Sequence, residues 1–270
     1  MRRLEGKVAV ITGGARGQGR SHAVALAGEG ASIVIADVPG NIATIPYDMA
    51  TSEDLQETVR LVEALDARCV AVEADVRDTA QVQQVADRAM AEFGRVDILV
   101  ANAGVMSAAD STWDLTDDQW ADMLDVNLTG VWKICRAIVP HIIAGGRGGA
   151  ITITGSTGGL RAVAGCTHYN AAKWGGMALM RTLAWELAPH FIRANVVHPT
   201  GVNTEMSNNE WFGKWLEEHE DLAWPMRGNR MPVDVIQPED VSKTIAWLVS
   251  DDAKYVTGQE IRVDAGFMLK

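Results

Sequence analysis

Seven short apolar runs recur along the chain, each separated from the next by a stretch long enough to hold a helix, and this alternation leaves few possible folds. The runs occupy residues 8–11, 32–36, 69–73, 98–100, 150–153, 193–197 and 260–263. Most of their residues are apolar in succession rather than at every second position, so both faces of each strand are expected to be buried. Between them lie amphipathic segments such as 80–93, where Val82, Val85, Ala86, Ala89 and Met90 recur at helical spacing. Strands buried on both faces and alternating with helices predict an α/β domain built on one parallel sheet of about seven strands, covered by helices on each side. No repeat, low-complexity tract or linker divides the 270 residues, which read as one domain, 1–270.

Charge and composition narrow the partners. Hydrophobic residues make up 47% and charged residues 22%, a balance that supports a large core. The 24 Lys and Arg against 35 Asp and Glu give a formal charge of -11, so attraction to nucleic acid or to an anionic membrane surface is not expected. Cys69, Cys135 and Cys166 are odd in number and form no CxxC pair, which argues against a disulfide framework or a metal cluster and suits a reducing cytoplasm. No apolar stretch approaches the roughly eighteen residues of a membrane span, and the first apolar run follows residue 6 directly. The expectation is a soluble, unexported protein.

The first strand ends in Thr12-Gly13-Gly14-Ala15-Arg16-Gly17-Gln18-Gly19-Arg20, with a helix expected through 21–27. Glycines at such a strand-to-helix turn let the backbone bend tightly and let a pyrophosphate approach the positive helix end. The spacing of Gly13, Gly17 and Gly19 is a variant of the general dinucleotide fingerprint, and a plain Gly-rich turn would show the same residues. About twenty residues on, the second strand ends at Asp37, followed by Val38. A carboxylate there can accept from both ribose hydroxyls of an adenosine and would repel a 2′-phosphate, which favours NAD over NADP. Arg16 pulls the other way, because a cation in the glycine loop could pair with that phosphate.

The fifth run ends near Gly155-Ser156. Tyr169 follows thirteen residues later, and Lys173 stands one helical turn beyond it at i+4. A tyrosine titrates near 10, too high for an efficient base at neutral pH, and an adjacent ammonium together with a positive nicotinamide ring would lower it. Tyr169 could then exchange a proton with an alcohol while Ser156 holds the same oxygen. Each residue alone has a plainer reading: Tyr169 and Lys173 as a helix-surface pair, Ser156 as a turn hydroxyl, Asn127 as a helix cap.

Taken together, these motifs resemble the short-chain dehydrogenase/reductase family over the whole chain. Residues 12–19 are similar to the family's cofactor loop, Asp75-Val76 to its adenine-contacting pair and Asn102-Ala103-Gly104 to its Asn-Ala-Gly motif. Ser156, Tyr169 and Lys173 match its catalytic Ser, Tyr and Lys, and Asn127 its fourth catalytic residue, which holds a water in the proton relay from Lys173. Pro199-Thr200-Gly201-Val202-Asn203-Thr204 corresponds to the Pro-Gly motif beside the nicotinamide, with Thr200 replacing the usual glycine. The resemblance implies a single-domain doubly wound Rossmann fold, usually assembled as a homotetramer, and an NAD site drawing on Gly13, Arg16, Gly17, Gln18, Gly19, Asp37, Val38, Asp75, Val76, Asn102, Ala103 and Gly104. It extends that site to Tyr169, Lys173, Pro199, Gly201, Val202 and Thr204.

Two long segments remain, 38–54 and 204–238. The first is inserted after Asp37. With Arg20-Ser21-His22-Ala23 and His198-Pro199-Thr200-Gly201 it is similar to the actinobacterial, mycofactocin-associated carveol dehydrogenase group. That similarity implies a loop closed over NAD and electrons leaving through an external redox carrier; a surface insertion would read the same. The second segment is expected to be a substrate lid. Trp211 and Trp215 share a helix face there, joined by Met206, Phe212, Trp224 and Met226, which suits a small apolar cyclic alcohol or ketone. Core packing or a subunit contact would place the same residues. Cys166 and His168 are expected near the pocket, and His22 and His198 in packing or hydrogen-bonding roles. Taken together these residues point to an NAD-dependent dehydrogenase of a carveol-like secondary alcohol. The rivals are an NADPH-dependent 3-oxoacyl or other ketone reductase, against which Asp37 and the apolar lid count, and a catalytically idle NAD-sensing scaffold, against which the intact Asn127, Ser156, Tyr169 and Lys173 count.

Overall fold

All seven expected strands form, at Val8–Thr12 (β1), Ser32–Asp37 (β2), Cys69–Glu73 (β3), Ile98–Ala101 (β4), Gly149–Thr154 (β5), Ile192–Pro199 (β6) and Glu260–Val263 (β7). The computed structural model describes residues 2–223 and 228–269. The strands make one all-parallel sheet in the order β3-β2-β1-β4-β5-β6-β7. Val10 of β1 lies opposite Val34 of β2 on one side and Leu99 of β4 on the other, which fixes the register at the centre.

Helices alternate with the strands: Gly17–Gly28 (α1), Ser52–Glu63 (α2), Thr79–Phe93 (α3), Asp117–Leu124 (α4), Gly130–Gly145 (α5), Thr167–Leu187 (α6), Glu210–Glu218 (α7), Glu220–Ala223 (α8) and Pro238–Val249 (α9). Burial follows the strand pleat. Val8 and Val10 of β1 enter the core shared with α3, α5 and α6, while Ala9 and Ile11 enter the core shared with α1, α2 and α9. Each face of the sheet therefore has its own apolar layer, as the unbroken apolar runs require. The 38–54 insertion is shorter than the sequence suggests. Thr51 caps α2 in a reciprocal box with Asp54, so residues 52–54 are the helix's first turn.

The chain runs from β1 outward to β2 and β3, then returns to β4 beside β1. Neighbouring connections leave β1 and β4 on opposite faces, and a crevice opens outside their carboxyl ends. Everything discussed below collects at that end of the sheet. Among the described residues, no helix is long and apolar enough to cross a membrane.

His22 joins α1 to α9. It is fully buried, with Nδ1 2.7 Å from Ser242 Oγ, and burial pushes its imidazole down to about 3. An unfolded histidine takes up a proton near pH 6.5 while the folded one stays neutral, so stability is complete above that pH and is lost as pH falls toward about 3. Between pH 6.5 and 5 the chain should lose about 2 kcal/mol more than the His22→Gln variant in denaturant unfolding. Equal losses would assign the acid sensitivity to other groups.

Candidate active site

The glycine loop folds as it does because side chains would collide within it. A Cβ on Gly19 would lie 1.8 Å from the Gly13 carbonyl oxygen, and Gly13 and Gly17 have φ of +67° and +53°. Helix α1 begins beyond this turn with no side-chain cap at Arg16 and no acidic residue in its first turn, so its positive end faces the crevice uncompensated. Gly13, Arg16, Gly17, Gln18 and Gly19 line this cleft with Asp37, Val38, Asp75, Val76, Asn102, Ala103, Gly104 and Thr204. Gln18 Oε1 is buried there without a partner, as an acceptor awaiting a ligand donor would be. The Asp37 carboxylate accepts the Ala15 N–H at Oδ2 and the Val38 N–H at Oδ1, both at 2.9 Å, leaving a second acceptor direction on each oxygen. Burial lifts this carboxyl above its usual range against the pull of the two N–H groups. Arg16 lines the same cleft, acts on the Asp37 carboxyl as a nearby cation, and donates to the carbonyl of Asp48. The cleft's donors, acceptors and glycines fit a dinucleotide of the NAD type.

The crevice wall is locked from behind. Thr12 Oγ1 accepts the N–H groups of Asn102 and Ala103 at 3.0 and 3.1 Å, and Thr154 Oγ1 donates to Asn102 Oδ1 at 3.1 Å. Asp75 carries Arg77 on both carboxylate oxygens, and Arg77 reaches on to Asp122 at 2.6 Å.

Tyr169 and Lys173 lie on α6 as their spacing requires, with the Lys173 ammonium 5.5 Å from the phenol ring centroid and donating to the Thr154 carbonyl at 2.9 Å. Tyr169 is hydrogen-bonded to Ser156, whose Oγ also accepts the Gly158 N–H at 3.0 Å. Asn127 accepts the Val105 N–H and donates to the Val105 carbonyl, fully buried in a π-helical turn at Asp125–Thr129. That wider turn carries no signature in residue type, and such turns recur at functional sites. Gly104 stands between Asn127 and Lys173. A Cβ there would lie 2.7 Å from Asn127 Oδ1 and 3.4 Å from Lys173 Nζ, so both side chains face one gap.

Burial pushes Tyr169 up to about 12, and the Ser156 hydrogen bond only partly offsets it. Burial also pushes Lys173 down to about 8. A bound NAD would add a positive ring beside the phenol, the second of the two cations on which the expected lowering of Tyr169 rests.

A second cavity adjoins the first through Gln18, Thr204 and Met206. Ser156, Tyr169, Pro199, Gly201 and Val202 border it, as do Cys166 and Val163. From α7 it receives Phe212 and Leu216, not the tryptophans. Trp215 shares the helix with Trp211 but turns inward, buried against Gly165 and stacked on His219 at 4.8 Å. Trp211 is half-buried outside the cavity. Trp224 and Met226 lie outside the described residues. His168 also points elsewhere, pairing with Ser107 at 3.0 Å. Sequence reasoning missed Phe267, which closes the cavity from the C-terminal turn, and Asn229, which accepts from Thr200 at 2.9 Å and ties the Pro-Gly loop to the far leg of the 204–238 segment.

It also missed Tyr47. The insertion places Ile42, Tyr47, Met49 and Ala50 on the first cleft, and the Met106 N–H donates to the Tyr47 hydroxyl at 3.0 Å. Thr44 donates to Asp122 at 2.8 Å. Three side chains thus pin the segment across the cleft. A tyrosine directly after Pro46, inside a long segment between β2 and α2, was the available signal.

The family profile described as Enoyl-(Acyl carrier protein) reductase matches residues 13–268. The chain belongs to the short-chain dehydrogenase/reductase family. It is 46% identical over 279 residues to (-)-trans-carveol dehydrogenase of Rhodococcus erythropolis, covering 100% of both chains. It superposes on the crystal structure of carveol dehydrogenase from Mycobacterium avium in complex with NAD with a TM-score of 0.95, at 44% identity and full coverage of both chains. It is similar too to a short chain dehydrogenase from Mycobacterium paratuberculosis bound to NAD, with a TM-score of 0.94, 43% identity and coverage of 99% of this chain and 100% of that one.

Burial holds the phenols of Tyr47 and Tyr169 near 12 in the cofactor-free protein. A tyrosinate absorbance titration should therefore show two late phenols, and Tyr169→Phe should remove one of them. Addition of NAD should shift the Tyr169 component to lower pH; a component that NAD leaves in place would contradict the electrostatic role given to the cofactor.

Proposed function

We propose that this chain is an NAD-dependent dehydrogenase interconverting a secondary alcohol and a ketone, with a carveol-like cyclic terpenoid alcohol as substrate type. The observation that carries the reading is the meeting of two cavities, one bordered by Asp37 and the glycine loop, the other by Ser156 and Tyr169. When bound, NAD supplies the acceptor for the carbinol hydride and a positive ring beside the phenol. The chain's own residues do the rest. Ser156 Oγ orients the alcohol oxygen, and Tyr169 Oη takes its proton. Lys173 keeps a cation beside the phenol and, across the Gly104 gap, shares with Asn127 the exit for that proton. Phe212, Leu216, Val163 and Phe267 offer the alcohol an apolar enclosure. Similarity to (-)-trans-carveol dehydrogenase and to two NAD-bound relatives supports the same substrate and cofactor. A 3-oxoacyl reductase using NADPH is disfavoured by Asp37, whose carboxylate would repel a 2′-phosphate.

The Tyr47, Arg16 and Thr44 contacts support an insertion that retains NAD, and retained NAD would in turn need an external redox carrier such as a mycofactocin-type partner. Trp132 on α5 and Trp174 on α6, 44% and 54% exposed, support self-association into a homotetramer. Three free cysteines support a cytoplasmic setting.

Tyr169→Phe should lower turnover by about 10²–10⁴-fold, the range expected when a positioned proton acceptor is lost, while NAD titrated by fluorescence binds as before. Wild-type turnover in that variant would remove the assigned role. Retention is tested separately. Tyr47→Phe leaves the Met106 N–H unpaired at a cost of about 1 kcal/mol, so NAD should leave about fivefold faster. Mass spectrometry of denatured, dialysed protein measures it; identical retention would make the insertion a surface loop.

A further inference from the structure

His198 does nothing in the mechanism above, yet its ring is wholly buried beside it. It is the penultimate residue of β6, fully excluded from solvent, with Nδ1 3.1 Å from the Ser156 nitrogen and 2.9 Å from the Ser156 carbonyl oxygen. The contact is built in: a Cβ on Gly155 would lie 2.6 Å from His198 Nδ1, so the glycine preceding Ser156 makes room for the imidazole. The other ring nitrogen, Nε2, is buried without a hydrogen bond and lies 4.0 Å from Glu260 Oε2 on β7, a carboxylate whose other oxygen holds Arg181 at 2.6 Å.

One nitrogen cannot both accept the Ser156 N–H and donate to the Ser156 carbonyl. The surroundings decide which it does. A lone pair on Nε2 would face the Glu260 carboxylate, whereas an Nε2–H points a positive edge at it. Burial holds the ring neutral, helped by the cations Lys173 and Arg262 and opposed by the Ser156 backbone contact and the Glu260 carboxylate. The neutral Nε2–H form therefore prevails, and Nδ1 accepts the Ser156 N–H.

We propose that His198 is a positioning residue for Ser156: it fixes the serine backbone through Nδ1 and thereby aims Oγ at the substrate oxygen. The proposal rests on the Ser156 role given above. Anchored at its N–H by His198 and at Oγ by Gly158, the serine keeps an extended backbone with φ of -168° and ψ of 152°. Without the imidazole its hydroxyl is free to leave the line between Tyr169 and the alcohol.

The test is a double-mutant cycle in the full-length enzyme. His198→Leu keeps the apolar bulk but cannot accept, and kcat should fall about tenfold or more with NAD affinity unchanged. His198→Asn, whose Oδ1 can replace Nδ1, should recover part of the loss. In a Ser156→Ala background His198→Leu should change kcat less than about twofold, because the residue it acts through is gone. An equal fall in both backgrounds would overturn the inference and leave His198 a packing residue. Wild-type turnover in Ser156→Ala alone would remove the serine role itself, a separate failure. Should His198→Leu fail to fold, nitrogen NMR of the wild-type histidine decides: a protonated Nε2 with an unprotonated Nδ1 is expected, and a protonated Nδ1 contradicts the proposal.

Discussion

Parallel pairing of β1 with β2 on one side and β4 on the other is the constraint on which the rest of the molecule depends. Because connections leave these strands toward opposite faces, nothing can fill the space beyond their carboxyl ends, and a crevice opens there without any side chain needing to carve it. The buried apolar strands hold this geometry rigidly. Val10, Ile11, Leu99 and Val100 have no solvent exposure, and each layer of helices packs against one set of alternating side chains. Loops at the crevice can then differ without disturbing the scaffold.

Burial dominates the chemistry as well as the fold. The same exclusion of water that secures the sheet places Lys173, Asn127 and His198 where charge is costly, with Tyr169 half-buried at the cavity beside them. A phenol held near 12 and an ammonium held near 8 are poorly matched for proton transfer in the cofactor-free protein. A positive ring entering that space acts at low dielectric, where a single charge weighs far more than in water. Thr154 and Asn102 hold the wall of that space in place, Thr154 through its carbonyl to Lys173 and its hydroxyl to Asn102.

Much of this was legible in the residues. Continuous apolar runs marked the central strands, which are buried on both faces, whereas the edge strands β3 and β7 are only partly buried and β7 alternates polar with apolar residues. Gly13, Gly17, Gly19, Asp37, Tyr169 and Lys173 stand where their spacing put them, since strand ends and one helical turn are rigid measures. What escaped detection depends on tertiary contacts. The π-helical turn that buries Asn127 changes hydrogen-bond register without changing residue type. Trp211 and Trp215 share a helix, but which face of α7 meets the cavity is set by Gly165 and His219, far away in sequence or invisible as neighbours. Tyr47 and His198 read as ordinary residues until the fold brings Met106 and Ser156 to them.

The central claim is that one crevice holds a dinucleotide and a secondary alcohol so that a hydride and a proton leave the alcohol together. Rapid mixing of NAD-loaded protein with a cyclic secondary alcohol such as carveol, followed by the absorbance of reduced nicotinamide, tests it most directly. The account predicts a single exponential rise approaching one equivalent per chain, with the amplitude surviving even where no external carrier supports turnover. No absorbance change with cyclic secondary alcohols, in protein shown to hold its cofactor, would contradict it.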